Sequence, residues 1–458
     1  MKLYSTLSRQ KEPLNTTNGK IKMYVCGVTP YAPSHVGHAM SYIIFDVLKR
    51  YLEFKDIKVI HIQNFTDIED KLIKESTNLG ISVKQLSEKH IADYFEVMDS
   101  LNIKRANTYP KASEEIPTII EIIINLINKD MAYPSGDDVY FRVRKQTDYG
   151  KLSHRSIDDM KAGARVAISE GKEDPMDFAL WKGAKPGEPS WESPWGKGRP
   201  GWHIECSAMS YKYLGETIDI HGGGQDLVFP HHENEIAQTE AFTQTIPFSR
   251  IWVHNGLLQF AKEKMSKSLG NIISIADALT KVSSDALRLF FLSSHYRNPL
   301  LYSDELVLAQ EKALDRLRNA MKVHNTNANN HQKEVDPSSY RENFISAMED
   351  DLNTPQALAS LFNLAREINR GIKNGSSITL AQSNLSELLN VLGLTLSEQP
   401  INESEDKSSM INLLIELRND LRDAQLYELA DKVRKGLASS GISLEDTSDG
   451  TKWKIDRK

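Results

Sequence analysis

The first hundred residues alternate between short apolar runs and a longer stretch with helical periodicity. Residues 21–28 (IKMYVCGV) and 58–65 (KVIHIQNF) have the pattern of buried strands, and residues 39–54 between them have that of a helix. Strand, helix and strand in this order predict a parallel sheet of the nucleotide-binding kind. Apolar runs at 217–224 and 251–258 predict two further strands of the same α/β pattern.

The pattern changes twice along the chain. From about residue 130 to 200 it consists of short strands and loops rich in Gly, Pro and Trp, which predicts an insertion into the sheet domain. Beyond Ser274 nearly every segment has helical periodicity, interrupted by polar linkers at 324–339 and 397–409. These linkers predict at least one helical domain followed by a small C-terminal domain.

The expected fold class is α/β: a Rossmann-type parallel-sheet catalytic domain with an inserted domain, a helical bundle and a small C-terminal domain. The predicted boundaries are 1–118 and 201–262 for the two halves of the sheet domain, 119–200 for the insertion, 263–310 for the segment after the last strand, 311–396 for the bundle and 405–458 for the C-terminal domain.

Composition limits the class of protein. The chain has 458 residues, 40% of them hydrophobic, which suits about three domains. The longest apolar stretch, 116–127, contains Glu121 and Asn125 and predicts a core helix rather than a membrane span. The N-terminus lacks the apolar core of a signal peptide, so we expect a cytoplasmic protein with no membrane partner. A net charge of −6 argues against a globally basic nucleic-acid binder but leaves local basic patches open.

Two loops have residues suited to phosphate. In the first, His35 and His38 flank Gly37 at the predicted start of a helix, where free N–H groups can bind anions. In the second, Lys264 and Lys267 (KMSKS) precede a glycine turn and could neutralise the charge on a leaving pyrophosphate. Taken singly, the first loop could equally be an exposed loop or have a core-capping role, and a lone lysine run like the second is more often a solvated surface. The occurrence of both loops in this order, one after the first strand and one after the last strand of the sheet domain, favours binding of a nucleoside triphosphate.

Residues 229–238 (FPHHENEIAQ) place two histidines and two glutamates at the start of a predicted helix. His231 and Glu235 are four residues apart and share a face, which makes half of a metal site. The alternative is a solvated first helical turn. The chain has two cysteines, Cys26 and Cys206, 180 positions apart, and these are either core thiols or the other two ligands.

Seven stretches spread over most of the chain carry a resemblance to a known family: MYVCGVTPY (23–31), NFTDIEDKL (64–72), GRPGWHIECSAM (198–209), DIHGGGQDLVFPHHENEIAQ (219–238), KMSKSLGN (264–271), LRLFFLSSHYRNPLLYS (287–303) and DDLNTPQAL (350–358). Together they resemble the cysteinyl-tRNA synthetases, a family of class I aminoacyl-tRNA synthetases. The sequence departs from that family at Val36, where isoleucine is usual, and at TPYAPS (29–34).

The resemblance implies the following roles for the site residues. One zinc ion would be held by Cys26, Cys206, His231 and Glu235. The catalytic residues would be His35, His38, Lys264 and Lys267, and ATP would be bound by His35, Gly37, His38 and Lys267. The cysteine substrate would contact Thr66, Trp202, Asp226 and His232.

The implied activity is ligation of L-cysteine to the 3′ end of tRNA(Cys) through a cysteinyl-adenylate, with ATP as substrate and Mg²⁺ as its counterion. Segment 263–310 would then hold the KMSKS loop and contact the tRNA stem, and 405–458 would bind the anticodon. We expect a monomer. The alternative is the cysteine:glucosaminyl-inositol ligase of mycothiol synthesis, which shares the zinc and ATP motifs but lacks a C-terminal RNA-binding domain. A catalytically inactive RNA-binding paralogue is disfavoured because both ATP motifs and all four ligands are present.

Overall fold

The structure is a computed structural model that describes residues 1–157, 171–260, 273–322, 334–396, 403–447 and 450–455. It consists of two compact units, Met1–Leu396 and Ser397–Lys458.

The first unit begins with a hairpin and the first half of the predicted sheet. The helix predicted at 39–54 begins earlier, at Val36, so that Gly37 and His38 lie in its first turn. The elements up to residue 128 are β1 (Lys2–Ser5), β2 (Gln10–Pro13), β3 (Lys20–Val28), α1 (Val36–Phe54), β4 (Lys58–Phe65), α2 (Asp70–Leu79), α3 (Val83–Ser100) and α4 (Ile116–Asn128).

An antiparallel sheet of four strands follows α4, within the region predicted as an insertion. Its strands, adjacent in chain order, are β5 (Ala132–Ser135), β6 (Asp138–Phe141), β7 (Phe178–Gly183) and β8 (Gly198–Pro200). The apolar face of α4 packs into one hydrophobic core with these strands, which is why a run of isoleucines is stable there. Among the described helices, none is long and apolar enough to cross a membrane.

The chain then returns to the parallel sheet through α5 (Trp202–Leu214), β9 (Ile218–Gly224), α6 (Glu233–Thr243), β10 (Ser249–Asn255) and the short β11 (Leu258–Phe260). The four strands lie in the order β10, β9, β3, β4, and every pair is parallel. Their carboxyl ends therefore meet at one edge, the usual place for a ligand in an open α/β sheet.

The strand predicted at 251–258 is confirmed for residues 251–255, but it ends at Asn255 and does not continue to residue 258. A Cβ on Gly256 would lie 2.2 Å from the carbonyl oxygen of Asn298, so the backbone approaches this segment closely at that point. Beyond the interruption, β11 pairs with β12 (Leu300–Tyr302) instead of with the main sheet.

The remainder of the first unit is helical. A buried ion pair joins it to the sheet domain: Arg288 Nη2 donates to Asp46 Oδ2 at 2.5 Å, and neither side chain is exposed. The helices are α7 (Ile275–Leu279), α8 (Ser284–Leu292), α9 (Asp304–Met321), α10 (Ser338–Glu349), α11 (Thr354–Lys373) and α12 (Thr379–Val391).

The second unit contains α13 (Glu403–Asp423), α14 (Tyr427–Ser439) and an antiparallel hairpin of β13 (Ile442–Thr447) and β14 (Gly450–Ile455). The helical periodicity predicted for nearly every segment beyond Ser274 does not extend to this hairpin. Ile442 and Leu444 alternate with polar residues, as do Trp453 and Ile455, and the Asp-Gly pair at 449–450 leads into β14. This two-residue periodicity was the available signal for a hairpin.

Candidate active site

The two cysteines, His231 and Glu235 converge at the carboxyl edge of the parallel sheet. Cys26 lies near the end of β3 and Cys206 in the first half of α5. His231 belongs to a short helical turn, Val228–His232, that leads into α6, where Glu235 is in the first turn. All four side chains are buried, and one ligand atom from each lies within 4.8 Å of the others.

The distances between these atoms match a tetrahedral metal site. The two sulfurs are 3.9 Å apart, Cys26 Sγ is 3.5 Å from Glu235 Oε1, and His231 Nε2 is 3.0 Å from the same oxygen. Tetrahedral zinc with ordinary bond lengths separates its ligand atoms by about 3.8 Å for two sulfurs, about 3.5 Å for sulfur and oxygen, and about 3.3 Å for nitrogen and oxygen. The four residues therefore fit zinc in both donor type and spacing.

Two further histidines hold the ligands in place. His221 Nε2 lies 2.8 Å from Glu235 Oε2, the oxygen that faces away from His231 Nε2. His203 Nδ1 lies 2.9 Å from His231 Nδ1. Such outer hydrogen bonds fix the orientation and tautomer of metal ligands.

His232 also lies against the metal ligands. Its Nε2 is 3.3 Å from Cys26 Sγ, and its Nδ1 is 2.8 Å from His254 Nε2. The space for this ring exists because residue 223 is glycine: a Cβ there would lie 2.9 Å from His232 Cε1. His254 in turn is 2.7 Å from Thr6 Oγ1.

The electrostatics of the four residues suit a cation. The Cys26 thiol, hydrogen-bonded to Cys206, lowers the pKa of Cys206 to about 6, while burial raises the pKa of Cys26 itself. Burial would lower the pKa of His231, but the Glu235 carboxylate and the Cys206 sulfur outweigh it and raise that pKa to about 10. At neutral pH the buried cluster therefore holds anionic groups beside a proton on His231, which a divalent metal can displace.

His35, Gly37 and His38 lie at the N-terminus of α1. The two imidazoles stack with centroids 3.6 Å apart, and His35 Nδ1 is buried without a hydrogen-bond partner among the described residues. Desolvation lowers the pKa of His35 to about 4 and that of His38 well below its ordinary value. Both rings are therefore neutral at pH 7, and they can contribute hydrogen bonds rather than positive charge to a bound anion.

Lys264 and Lys267 lie outside the described residues. The chain that follows them is held at the same helix start, because Val36 N donates to the carbonyl oxygen of Ile273 at 3.1 Å and His35 forms a β-bridge with Ser274.

The four predicted substrate residues occupy different environments. Trp202 stacks on the His231 ring with centroids 4.2 Å apart and keeps 39% of its surface exposed, so it can form a wall above the metal ligands. Thr66 is buried, and its Oγ1 accepts a hydrogen bond from Asn64 Nδ2 at 3.2 Å. Asp226 is exposed, in a helical turn after β9. His232, as described above, contacts Cys26.

Sequence reasoning missed the supporting histidines His203, His221 and His254. His254 lies near the carboxyl end of β10, which is the position from which a sheet of this kind contributes site residues, and His221 lies in the middle of β9. His203 is three residues before Cys206 on the same helix. The position of His254 at the end of a strand and that of His203 close to Cys206 could have indicated from the sequence that both lie at the site.

Comparisons with known proteins agree with this geometry. A family model described as the catalytic domain of class I (C) tRNA synthetases matches residues 12–312, and a DALR domain model matches residues 343–397. Among solved structures, Mycobacterium tuberculosis methionyl-tRNA synthetase in complex with methionyl-adenylate superposes with a TM-score of 0.61 at 16% identity, over 86% of this chain and 94% of that one. The fold and the site together define a class I aminoacyl-tRNA synthetase.

Similarity to curated relatives extends over the full length. The cysteine–tRNA ligase of Dehalococcoides mccartyi is 54% identical over 100% of both chains, and that of Geobacillus thermodenitrificans is 47% identical over 99% of both chains. The chain belongs to the cysteine–tRNA ligase family.

Proposed function

We propose that this chain ligates L-cysteine to the 3′ end of tRNA(Cys), using ATP and passing through a cysteinyl-adenylate. The observation that carries the proposal is the convergence of Cys26, Cys206, His231 and Glu235 at zinc spacing, in a chain of this family. ATP is the nucleotide substrate, with Mg²⁺ as its counterion, and tRNA(Cys) is the acceptor.

The four ligand residues account for selection of cysteine. Bound there, zinc would supply a soft Lewis acid that takes a thiolate as a further ligand and has little affinity for the hydroxyl of serine. A pocket shaped only by apolar contacts discriminates poorly between side chains of such similar size, and an editing site would then be needed. His221 and His203 contribute by keeping Glu235 and His231 in ligating orientation.

We propose that Trp202, Thr66, Asp226 and His232 form the rest of the cysteine pocket. Trp202 supports this role by lying flat on His231 while partly exposed, so that it covers the metal ligands from the solvent side. His232 would fix the position of Cys26 and hence of the bound sulfur.

The two phosphate-binding loops would catalyse the activation of cysteine by ATP. His35, Gly37 and His38 present the N–H groups of α1 and two neutral imidazoles to the phosphates. Lys264 and Lys267 stabilise the charge that develops on pyrophosphate as the cysteine carboxylate attacks the α-phosphate. A ribose hydroxyl of the tRNA then attacks the adenylate carbonyl and releases AMP. Positioning and electrostatics suffice, because no covalent intermediate with the enzyme is required.

The second unit supports tRNA as acceptor over an amino sugar. It carries the exposed residues Arg422, Lys432, Arg434 and Lys435 on two helices, together with Trp453, and such a surface suits phosphates and splayed bases. Arg418, on the first of these helices, is buried and does not belong to that surface. The match to a DALR domain at residues 343–397 lies in the helical part of the first unit. The mycothiol-pathway ligase is therefore the less favoured function. We further propose a monomeric, cytoplasmic enzyme.

Amino-acid-dependent exchange of pyrophosphate into ATP tests the first half of the reaction. Cysteine should support exchange with the purified chain, and serine at the same concentration should support almost none. Equal exchange with serine and cysteine would contradict selection through a thiolate-binding metal.

A further inference from the structure

The position of Trp202 depends on the inserted antiparallel sheet. The last strand of that sheet, β8, ends two residues before Trp202, which is the first residue of α5. Gly201, between them, donates from its N–H to the carbonyl oxygen of Leu180 in β7 at 2.9 Å. A Cβ on Gly201 would lie 2.0 Å from the carbonyl oxygen of Ala179, so the backbone approaches β7 closely there. The inserted sheet therefore determines where this wall of the proposed cysteine pocket lies.

A buried arginine of β8 forms an ion pair with α2. Arg199 is 4% exposed, and its Nη2 donates to Oδ1 of Asp70 in the first turn of that helix. Lys182 is directly opposite Arg199 in the pairing of β7 with β8, and its Nζ donates to Asp70 Oδ2 at 2.7 Å. One carboxylate of α2 therefore binds two cations of the inserted sheet.

Asp70 belongs to the segment that carries Thr66, another residue of the proposed cysteine pocket. Thr66 follows the end of β4 and is four residues before Asp70. Asp67, between them, is buried, and its carboxylate accepts from Ser113 N at 2.9 Å and from Ser113 Oγ at 2.6 Å. These contacts fix the turn before α2. The ion pair thus joins the segment of Thr66 to the strand that leads to Trp202.

Arg199 depends on the carboxylate of Asp70. Burial would raise the pKa of Asp70, but the hydrogen bonds and charges of Lys182 and Arg199 outweigh burial and lower that pKa, so Asp70 is ionised at neutral pH. Among the described residues, Arg199 has one further carboxylate partner, Glu188, at 3.4 Å from Nε. A buried cation that loses its main partner is strongly unfavourable. Loss of the Asp70 charge should therefore displace β8, and Trp202 with it.

A metal that binds a thiolate does not by itself select the length of the side chain. Cysteine and homocysteine both offer a thiolate, and homocysteine has one methylene more. With the sulfur held at the metal ligands, the extra methylene would move the α-carbon outward. Rejection of the longer thiol therefore requires a wall at a fixed distance, and Trp202, which stacks on His231 with centroids 4.2 Å apart, lies close enough to the ligands to provide it.

We propose that Asp70 and Arg199 are positioning residues that select among thiol amino acids by length, because their ion pair fixes Trp202 relative to Thr66. The proposal rests on the proposed function and adds to it a means of excluding thiols longer than cysteine. The alternative is an ion pair that only stabilises the contact between α2 and the inserted sheet. Its removal would then weaken the binding of both thiols equally.

The first test measures binding of cysteine and of homocysteine to the full, zinc-loaded chain by calorimetry. In Asp70→Asn, which keeps the shape of the side chain, the preference for cysteine should fall about tenfold, within the range that one methylene is worth. The affinity for zinc, measured by competition with a chelator, should stay unchanged. An equal loss of affinity for both thiols would overturn the proposal.

Two further variants make this comparison specific. Arg199→Lys keeps the positive charge and should retain more of the preference for cysteine than Arg199→Gln. Lys197→Gln is the matched control, because Lys197 directly precedes β8 and forms an exposed ion pair with Glu192. This control should bind both thiols as the unmodified chain does.

The second test is a double-mutant cycle in cysteine-dependent pyrophosphate exchange. Asp70→Asn and Arg199→Gln should each raise the KM for cysteine more than they lower kcat, and the double variant should lose little more than either alone. The KM for ATP should stay unchanged. Fully additive losses would overturn the proposal. Absence of exchange in the unmodified chain, with cysteine still preferred over homocysteine in the binding assay, would instead contradict the proposed function itself.

Discussion

The Nδ1 atoms of His203 and His231 lie 2.9 Å apart, so one of these buried imidazoles donates a hydrogen bond to the other. Because Nε2 of His231 lies 3.0 Å from Glu235 Oε1, on the side of the other ligand atoms, Nδ1 is the nitrogen left to anchor the ring. A metal-ligating histidine is usually oriented through its second nitrogen in this way.

His203→Leu should therefore weaken zinc binding by about 10- to 100-fold, the usual effect of removing an outer partner of a metal ligand. His203→Asn should recover much of the loss, because the asparagine amide lies near the position of Nδ1. Competition with a metal chelator measures both variants directly, with Cys206→Ser as the reference for loss of a ligand. Identical affinity in the leucine variant and the unmodified chain would show that the His203 contact does not orient the ligand.

Lys267→Ala should lower the rate of cysteinyl-adenylate formation and leave cysteine binding nearly unchanged. The lysine charge stabilises mainly the negative charge that develops on pyrophosphate. Its loss therefore raises the energy of the transition state more than that of bound cysteine. Single-turnover formation of the adenylate is the measurement. An unchanged rate would identify Lys267 as an ordinary surface lysine.

The buried side chain of His61 should make the free energy of unfolding depend on pH. It is 4% exposed in β4, neither ring nitrogen has a partner among the described residues, and burial lowers its pKa to about 3. The unfolded chain binds a proton at His61 below about pH 6.5, whereas the folded chain does not until about pH 3, so stability is lost as the pH falls between these values. This effect of His61 lowers the free energy of unfolding at pH 5 by about 2 kcal/mol relative to pH 8.

His61→Phe should remove that component, so that its free energy of unfolding falls less between pH 8 and pH 5. Urea unfolding of both proteins at the two pH values measures the difference. The same decrease in the variant and the unmodified chain would contradict a neutral, buried His61.

Removal of residues 397–458 should spare cysteine-dependent pyrophosphate exchange and greatly reduce transfer of cysteine to tRNA. The reason is that the metal ligands and His35 and His38 all belong to the first compact unit, whereas the basic helices belong to the second. Initial rates of both half-reactions are the measurement, with the full chain alongside. Undiminished charging of tRNA would contradict an anticodon-binding role for the second unit.

The local part of the fold could be predicted from periodicity. The strand predicted at 58–65 is β4 with the same bounds, and the strand predicted at 21–28 is β3 with one residue more. The division after Asn255 could not be predicted, because it depends on how closely Gly256 approaches a segment more than forty residues away. The predicted domain boundaries inside the first unit remain predictions.

The four proposed metal ligands were named from helix spacing, scarcity of cysteine and family resemblance, and the structure brings their ligand atoms together. The supporting contacts of His203 and His221 were not predicted, because hydrogen bonds between distant segments leave no periodic pattern in a sequence.

The most direct test of the central claim is to incubate the purified, zinc-loaded chain with ATP, labelled cysteine and a tRNA(Cys) transcript, and to measure label attached to the RNA. We expect cysteine on the tRNA 3′ end, little label when serine replaces cysteine, and no transfer to a glucosaminyl-inositol acceptor. Transfer to the amino sugar with uncharged tRNA, or charging of tRNA with serine as readily as with cysteine, would contradict the account.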